Sequence, residues 1–394
     1  MTDQVISGPS SVPSSSSGES PEAAHYAEAA SVSGDIGQLS VGKLMWRRFL
    51  RNRLAVGGAI VLLIMYTVVI FADFFAPYEH TISDEDFVAR SPQALHFIDA
   101  EGNFHLRPFV YGTTTTLDTQ NFIYVHEDNL EETYPIKFFV HGRPYKLFGL
   151  IPTDRHFIGV DEPGTLFLLG TDRSGRDMVS RIIYGGQISM TIGLVGVALT
   201  IIFGSVLGTV SGYFGGMVDT IMQRVIELLM SFPTIALWAA FAAALPPDMT
   251  ATMRFFYISV ILSLIGWTGL ARQVRAKVLA YREMDFASAA KAAGAGHMRI
   301  ILLHMLPNAL SHIIVIATLA IPGMILAETA LSFLGLGILP PAVSWGTLLQ
   351  DAQTVATVIK FPWLMLPGAF VILAVLSFNF VGDGIRDAAD PFAI

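Results

Sequence analysis

Six stretches of this chain, residues 54–72, 188–211, 228–245, 255–271, 305–327 and 361–382, carry no Asp, Glu, Lys or Arg. A hydrocarbon layer about 30 Å thick is crossed by roughly 20 such residues in a helix. Inside that layer no water satisfies backbone N–H and C=O groups, so a single segment must bond to itself as a helix. The expected fold is therefore an all-α membrane protein with six transmembrane helices, the segment 255–271 being the shortest. Composition agrees: 53% of the 394 residues are hydrophobic and only 14% charged, far from a soluble domain.

Other classes fall away on composition and motifs. With no cysteine there is no disulfide, thiolate zinc site or iron–sulfur ligation. The formal net charge is −8, and no basic stripe remains once membrane-flanking cations are set aside, so no nucleic-acid partner is expected. No G-x-S-x-G, H-E-x-x-H or phosphate-cradling G-x-x-x-x-G-K-[ST] occurs, so no catalytic residue is assigned. His80, His96, His105, His126, His141 and His156 are widely spaced without i, i+4 pairing. They are read as surface histidines, and no metal or cofactor site is expected.

Charge bias sets the expected topology. Residues 1–40 hold eleven Ser and little to bury, which reads as a disordered cytoplasmic tail. Residues 41–76 form a basic anchor (Lys43, Arg47, Arg48, Arg51, Arg53) and the first transmembrane helix, a signal anchor rather than a removed leader. These cations place the N-terminus in the cytoplasm, and six crossings return the C-terminus there. Loop 272–304, with six cations against two acids (Glu283, Asp285), is then cytoplasmic. Residues 77–184 become an extracytoplasmic insert between helices 1 and 2, expected to be β-rich with strands at 136–140 and 165–169. Residues 185–394 make a five-helix core.

Between the fourth and fifth spans, Asp285 can cap a helix. Ala287, Ala289, Ala290, Ala292 and Ala293 favour it, and Gly294 and Gly296 supply its stop. Such a short, smooth helix fits closely into another protein's groove or simply links two spans; composition alone leaves both open. Within the spans, Gly204, Gly208 and Gly212 repeat on one helix face and allow close packing. Pro233 and Pro322-Gly323 are expected to interrupt their spans, bordering a pathway or forming ordinary kinks. Glu328, an acid at membrane depth, lines a passage or sits at the interface. Arg224 and Glu227 read as an intrahelical pair.

Residues 288–307 resemble the signature loop of ABC importer permeases, E-A-A, three residues, G, nine residues, I-x-L-P. Here it reads Ser288-Ala289-Ala290, Gly294, then His304-Met305-Leu306-Pro307, with Ser288 and His304 replacing the Glu and the Ile. Gly170-Thr-Asp-Arg-Ser-Gly-Arg-Asp177, Glu328-Thr-Ala-Leu-Ser332-Phe-Leu-Gly-Leu-Gly337, Ser344-Trp-Gly346 and Gly382-Asp-Gly-Ile-Arg-Asp-Ala-Ala-Asp-Pro391 are similar to elements of the oligopeptide, dipeptide and nickel permease group. The resemblance covers roughly 170–394. It implies the type I ABC importer permease fold and transport across the bacterial inner membrane by alternating access. The implied cargo is peptides, with oligosaccharides or nickel as alternatives and a membrane-anchored receptor or scaffold as the reading from another class. The implied partners are a homologous permease in a heterodimer, two ATPase subunits that bind the ATP and Mg, an extracytoplasmic substrate-binding protein and the lipid bilayer. The short tail and the long first loop suggest the second permease of the pair. Asp285, Ser288, Ala289, Ala290, Ala293, Gly294, Leu306 and Pro307 would form the ATPase-docking loop, while Glu328, Ser332 and Pro233 are candidates to line the pathway.

Overall fold

The structure, a computed structural model, describes residues 41–119 and 123–389. The tail read from residues 1–40 lies outside them, as do Asp390 and Pro391 of the closing motif. Helix α1 (Val41–Arg51) carries four of the five cations of the basic cluster and is separated by Asn52 from α2 (Arg53–Ile70), which the fifth, Arg53, opens. Asn52 is extended and its side chain accepts the Ala55 N–H at 3.1 Å, satisfying one of the donors a helix start leaves unpaired. Phe49 of α1 turns back to pack on Ala55 and Ala388.

Helices α3 (Met178–Phe214), α4 (Gly216–Met230), α5 (Thr234–Ala243) and α6 (Ala251–Arg282) follow the insert. A short α7 (Asp285–Ala292) leads into α8 (His297–Phe333), which contains a π-helical stretch at Ile301–Met305. Two short helices, α9 (Trp345–Gln350) and α10 (Val355–Lys360), precede α11 (Leu366–Ala389). Among the described residues, five helices are long and apolar enough to cross a membrane, or six if α4 and α5 are one span. Several outrun their charge-free segments. Helix α3 has 37 residues, about 55 Å at 1.5 Å per residue. It begins at Met178 because Asp177 caps it and Arg181, inside its first turns, is paired with Asp172.

The third expected span is not one continuous helix. Segments α4 and α5 meet at an 81° bend, and at about 22 and 15 Å neither crosses a bilayer alone. The cause is Pro233, which lacks an N–H and holds Phe232 away from helical dihedrals. Pro322, by contrast, does not interrupt its span: it is buried within the unbroken helix Leu306–Phe333.

The spans converge on one apolar core that includes Met65, Met190, Ile192, Leu262, Ile325 and Phe378. Along α3 the glycine row faces α6. A Cβ on Gly204 would lie 2.9 Å from the Leu270 side chain, one on Gly208 2.5 Å from the Ala271 carbonyl oxygen, and one on Gly212 2.8 Å from that of Arg275. The backbones touch where side chains are missing, the geometry that stands in for hydrophobic driving force between helices in lipid.

The insert holds an antiparallel sheet of β1 (His96–Ile98), β2 (Phe104–Asp118) and β3 (Ile123–Pro135), and a separate hairpin of β4 (Lys137–Leu147) and β5 (Ile151–Gly159). Phe109 pairs with Pro135, Lys137 with Gly159 and Tyr145 with Thr153. A small core of Val110, Ile136 and Leu166 joins the two. The strand expected at 165–169 does not form. Its backbone groups are taken by other partners: the Leu166 N–H donates to the Tyr78 hydroxyl (2.9 Å), the Phe167 N–H to Gln93 Oε1 (2.5 Å), and the Phe167 carbonyl accepts from the Gln93 N–H (3.0 Å). The surface-histidine reading also fails in part. His156 is buried between the carbonyls of Ala76 (3.0 Å) and Arg143 (3.1 Å), and only His105 and His141 are exposed.

Candidate coupling site and its ties to the spans

Met284 is the N-cap of helix α7, its carbonyl accepting the Ala287 and Ser288 N–H groups at 3.1 and 3.2 Å. Asp285 is therefore the first helical residue and not the cap. It remains exposed, with its carboxylate at the positive end of the helix. At the other end Gly294 takes φ +75°, with its own N–H bonded to the Lys291 carbonyl and the Ala295 N–H to that of Ala290, both at 3.0 Å. This Schellman pair favours glycine because only it enters the left-handed region without a Cβ clash. Gly296 does not stop α7. With φ −66° it opens α8, its carbonyl accepting the Ile300 N–H.

The two faces of α7 differ sharply. Ala287 is buried, and Phe286, Ala290 and Ala295 pack against a cluster of Tyr213, Val274, Val278, Ile300 and Met305 drawn from α3, α6 and α8. Ser288, Ala289, Ala292, Ala293 and Gly294 are exposed, and a Cβ on Gly294 would meet nothing within 4 Å. Leu306 is half-buried behind this cluster, and Pro307 is exposed in the first turn of Leu306–Phe333. Both stand beside the small-residue face rather than on it.

Polar contacts lock the loop to the helix ends. The Tyr213 hydroxyl is 2.9 Å from His297 Nδ1, the Lys291 ammonium is 5.9 Å from the Tyr213 ring centroid, and the Tyr281 hydroxyl donates to the Asn308 carbonyl at 3.2 Å. Asp219 of α4 accepts from Arg275 of α6 and from Ser211 of α3. These contacts, with the apolar cluster, tie α7 to the ends of three long helices, α3, α6 and α8. These partners were invisible in the sequence: Tyr213 and His297 are 84 positions apart, in no recognisable spacing.

At the opposite end of the bundle, Glu328 is fully buried and accepts hydrogen bonds from Ser189 Oγ (2.8 Å) and Ser332 Oγ (2.7 Å). Ser189 Oγ accepts the Trp345 N–H (3.1 Å), Ser332 Oγ accepts the Ile338 N–H (3.0 Å), and the Trp345 indole donates to the Ile182 carbonyl (2.9 Å). Glu328 and Ser332 therefore fasten α3, α8 and α9 together and, in this conformation, line no open path. Pro233 sits exposed at the α4–α5 bend. Arg224 and Glu227 form an exposed 2.7 Å pair.

Residues 170–177 build a second hub. Asp172, buried, accepts the N–H groups of Ser174 (2.7 Å) and Arg176 (3.0 Å), Arg176 Nε (2.7 Å) and the Arg181 guanidinium. The Ala89 N–H bonds the Asp172 carbonyl and the Trp363 indole the Thr171 carbonyl. The insert, the start of α3 and the start of the last span meet here. Asp177 caps α3 through the Ser180 N–H and hydroxyl, both 2.7 Å. Burial pushes its carboxyl up to about 6.

Residues 201–393 match the family described as binding-protein-dependent transport system inner membrane component, and residues 40–92 match the N-terminal transmembrane domain of oligopeptide transport permease C. The oligopeptide transport system permease protein OppC of Haemophilus influenzae is 42% identical over 223 residues, 56% of this chain and 69% of the relative. The dipeptide transport system permease protein DppC of Alkalihalophilus pseudofirmus is 40% identical over 230 residues, 58% and 73% respectively. A solved inward-facing form of the MetNI methionine ABC transporter superposes with a TM-score of 0.38 at 18% identity, covering 54% of this chain and 98% of that one.

Proposed function

We propose that this chain, which belongs to the family of binding-protein-dependent transport system inner membrane components, is a permease subunit that moves peptides through an ATP-binding-cassette importer. The peptide assignment rests on the relatives, oligopeptide and dipeptide permeases at 40% identity or more. The single structural observation that carries the mechanism is α7, a short helix bolted on one face to α3, α6 and α8 and bare, with small side chains, on the other.

In this reading the bundle is of the type I kind with six crossings, α4 and α5 together counting as one. The α7 end faces the cytoplasm, in accord with the excess of cations over residues 272–304, and the insert faces outward. Partner ATPases bind and hydrolyse ATP, since no phosphate-cradling motif occurs in this chain. One of them receives the face formed by Ser288, Ala289, Ala293 and Gly294. A homologous permease completes the path, and an extracytoplasmic binding protein delivers the peptide.

Closure of the ATPases displaces α7. Because Ala287 and Phe286 are set in the apolar cluster and His297 is tied to Tyr213, α7 moves as one body with the ends of α3, α6 and α8. Packed helices carry such a displacement as a tilt rather than absorbing it, and access switches from one side of the bilayer to the other. With the ATPases and the binding protein reconstituted around it in sealed vesicles, the chain is expected to support ATP-dependent accumulation of di- or oligopeptide. Binding of peptide without accumulation would instead indicate a receptor or scaffold.

A further inference from the structure

The β4–β5 hairpin ends in a run without charge, Leu147-Phe-Gly-Leu-Ile-Pro-Thr153, bounded by Lys146 on one strand and Asp154 on the other. Hairpin ends are ordinarily polar, because turns sit in water. Here Phe148 is 57%, Leu150 81% and Ile151 59% exposed. The backbone sharpens the anomaly. The Leu150 N–H closes the turn on the Leu147 carbonyl at 3.1 Å, and the two residues between them, Phe148 and Gly149, have φ +53° and +73°. A turn with two positive-φ residues ordinarily takes Asn-Gly. A phenylalanine held in the left-handed region is an outlier that local chemistry does not explain.

The position of the hairpin supplies the reason. It runs alongside the exit of α2: His156 bonds the Ala76 carbonyl, Phe157 packs at a tilt against Phe75 (ring centroids 5.2 Å apart), and Phe148 at the tip reaches Phe71 (5.3 Å). From base to tip, the strands descend toward the membrane. Helix α2 has 18 residues, about 27 Å, so Phe71 stands at the boundary of the hydrocarbon layer. Phe148, in ring contact with Phe71, lies at the same depth, and α2 itself exposes apolar Leu63 and Ile70.

We propose that the tip of the β4–β5 hairpin is a membrane anchor, with Phe148, Leu150 and Ile151 seated in the interfacial layer of the leaflet from which the insert projects, beside α2. Tyr145 and Lys146, one step back from the tip, fall at headgroup level, where an aromatic ring and an ammonium are favoured. The anchor holds the insert upright against α2 at a fixed distance from the bilayer. It depends on α2 crossing the membrane and is independent of the cargo.

The chain has no cysteine, so single-thiol labelling needs no background changes. Full-length chain carrying Leu150→Cys, Leu63→Cys or Leu106→Cys is labelled with a nitroxide and placed in nanodiscs. Collision with oxygen, which concentrates in lipid, is compared with collision with a water-soluble nickel chelate. Leu63, 68% exposed on α2, is the lipid reference and Leu106, 87% exposed on β2, the water reference. The anchor predicts that the Leu150 probe falls on the lipid side of the two references, more open to oxygen and several-fold less open to nickel than Leu106, without reaching the depth of Leu63. Grouping with Leu106, or shielding from both reagents as in a protein interface, overturns it. A failure of peptide transport would leave this readout unmoved.

Discussion

Asp172→Ala removes the centre of the 170–177 hub, and its cost can be worked from the contacts. The carboxylate accepts two backbone N–H groups, Arg176 Nε and the Arg181 guanidinium. Arg176 is partly exposed and regains water on losing its partner, so its share is small. Arg181 is 6% exposed, and its nearest remaining carboxylate, Asp351, is 3.7 Å away. Fully stranding a buried charge costs about 3–5 kcal/mol, and with Asp351 still within ion-pair reach of Arg181 the expected cost is lower, about 1–3 kcal/mol. The apparent melting midpoint of purified protein, followed by the fraction surviving as a monodisperse size-exclusion peak after heating, is expected to drop by several degrees. The same logic predicts rescue. In Asp172→Ala/Arg181→Leu no charge is stranded, and at least half of the loss should return, since apolar replacement of a buried pair is close to neutral. An unchanged midpoint in the single variant, or a double variant no better than the single, would refute the reasoning.

Asp177→Asn keeps an oxygen to cap α3 but removes a buried carboxyl. A carboxyl raised from 3.8 to about 6 in the fold contributes stability that is complete below the unfolded value and lost as pH rises through about 6, on the order of 3 kcal/mol. Thermal scans from pH 4 to 7 should show the native chain losing more midpoint than Asp177→Asn across that window; parallel curves would remove the assignment. Gly208→Val must place a side chain against the Ala271 carbonyl and is expected to cost about 1–3 kcal/mol or more. Gly57→Val, where a Cβ meets nothing within 4 Å, should be far milder, and equal folded yields would contradict the α3–α6 packing. Tyr213→Phe loses one hydrogen bond to His297, worth about 1 kcal/mol. It should lower peptide uptake per ATP hydrolysed while leaving ATPase copurification intact.

Much of the architecture is written in the sequence where one physical requirement dominates. Charge-free runs mark the spans because hydrocarbon tolerates nothing else, and the glycine row of α3 marks a close approach because its missing Cβ atoms leave only backbone. Three of the readings that failed depended on a partner distant in the chain. Residues 165–169 have a strand's composition, yet Tyr78 and Gln93 claim their backbone groups. Glu328 looks like a pathway acid until Ser189, from a different helix, accounts for its carboxylate. Arg181 hid the first turns of α3 because its neutralisation by Asp172 is tertiary. At α7, helix content and the Gly294 stop were legible, but not which face is buried. That face is set by Tyr213, Val278 and Met305, from three other segments.

The docking role proposed for α7 is best tested away from Gly294. Any side chain there strains a φ of +75° and breaks the helix end, confounding docking with folding. Ala289 is exposed on the same face in regular helix, so Ala289→Trp adds bulk to the contact surface and leaves the chain's own packing intact. In proteoliposomes holding the chain with the proposed partners, a second permease, ATPases and a binding protein, ATP-driven peptide uptake should collapse and ATPase copurification fall, with the melting midpoint of the isolated chain unchanged. Uptake and copurification equal to the native chain would contradict α7 as the point where ATP hydrolysis is coupled to transport.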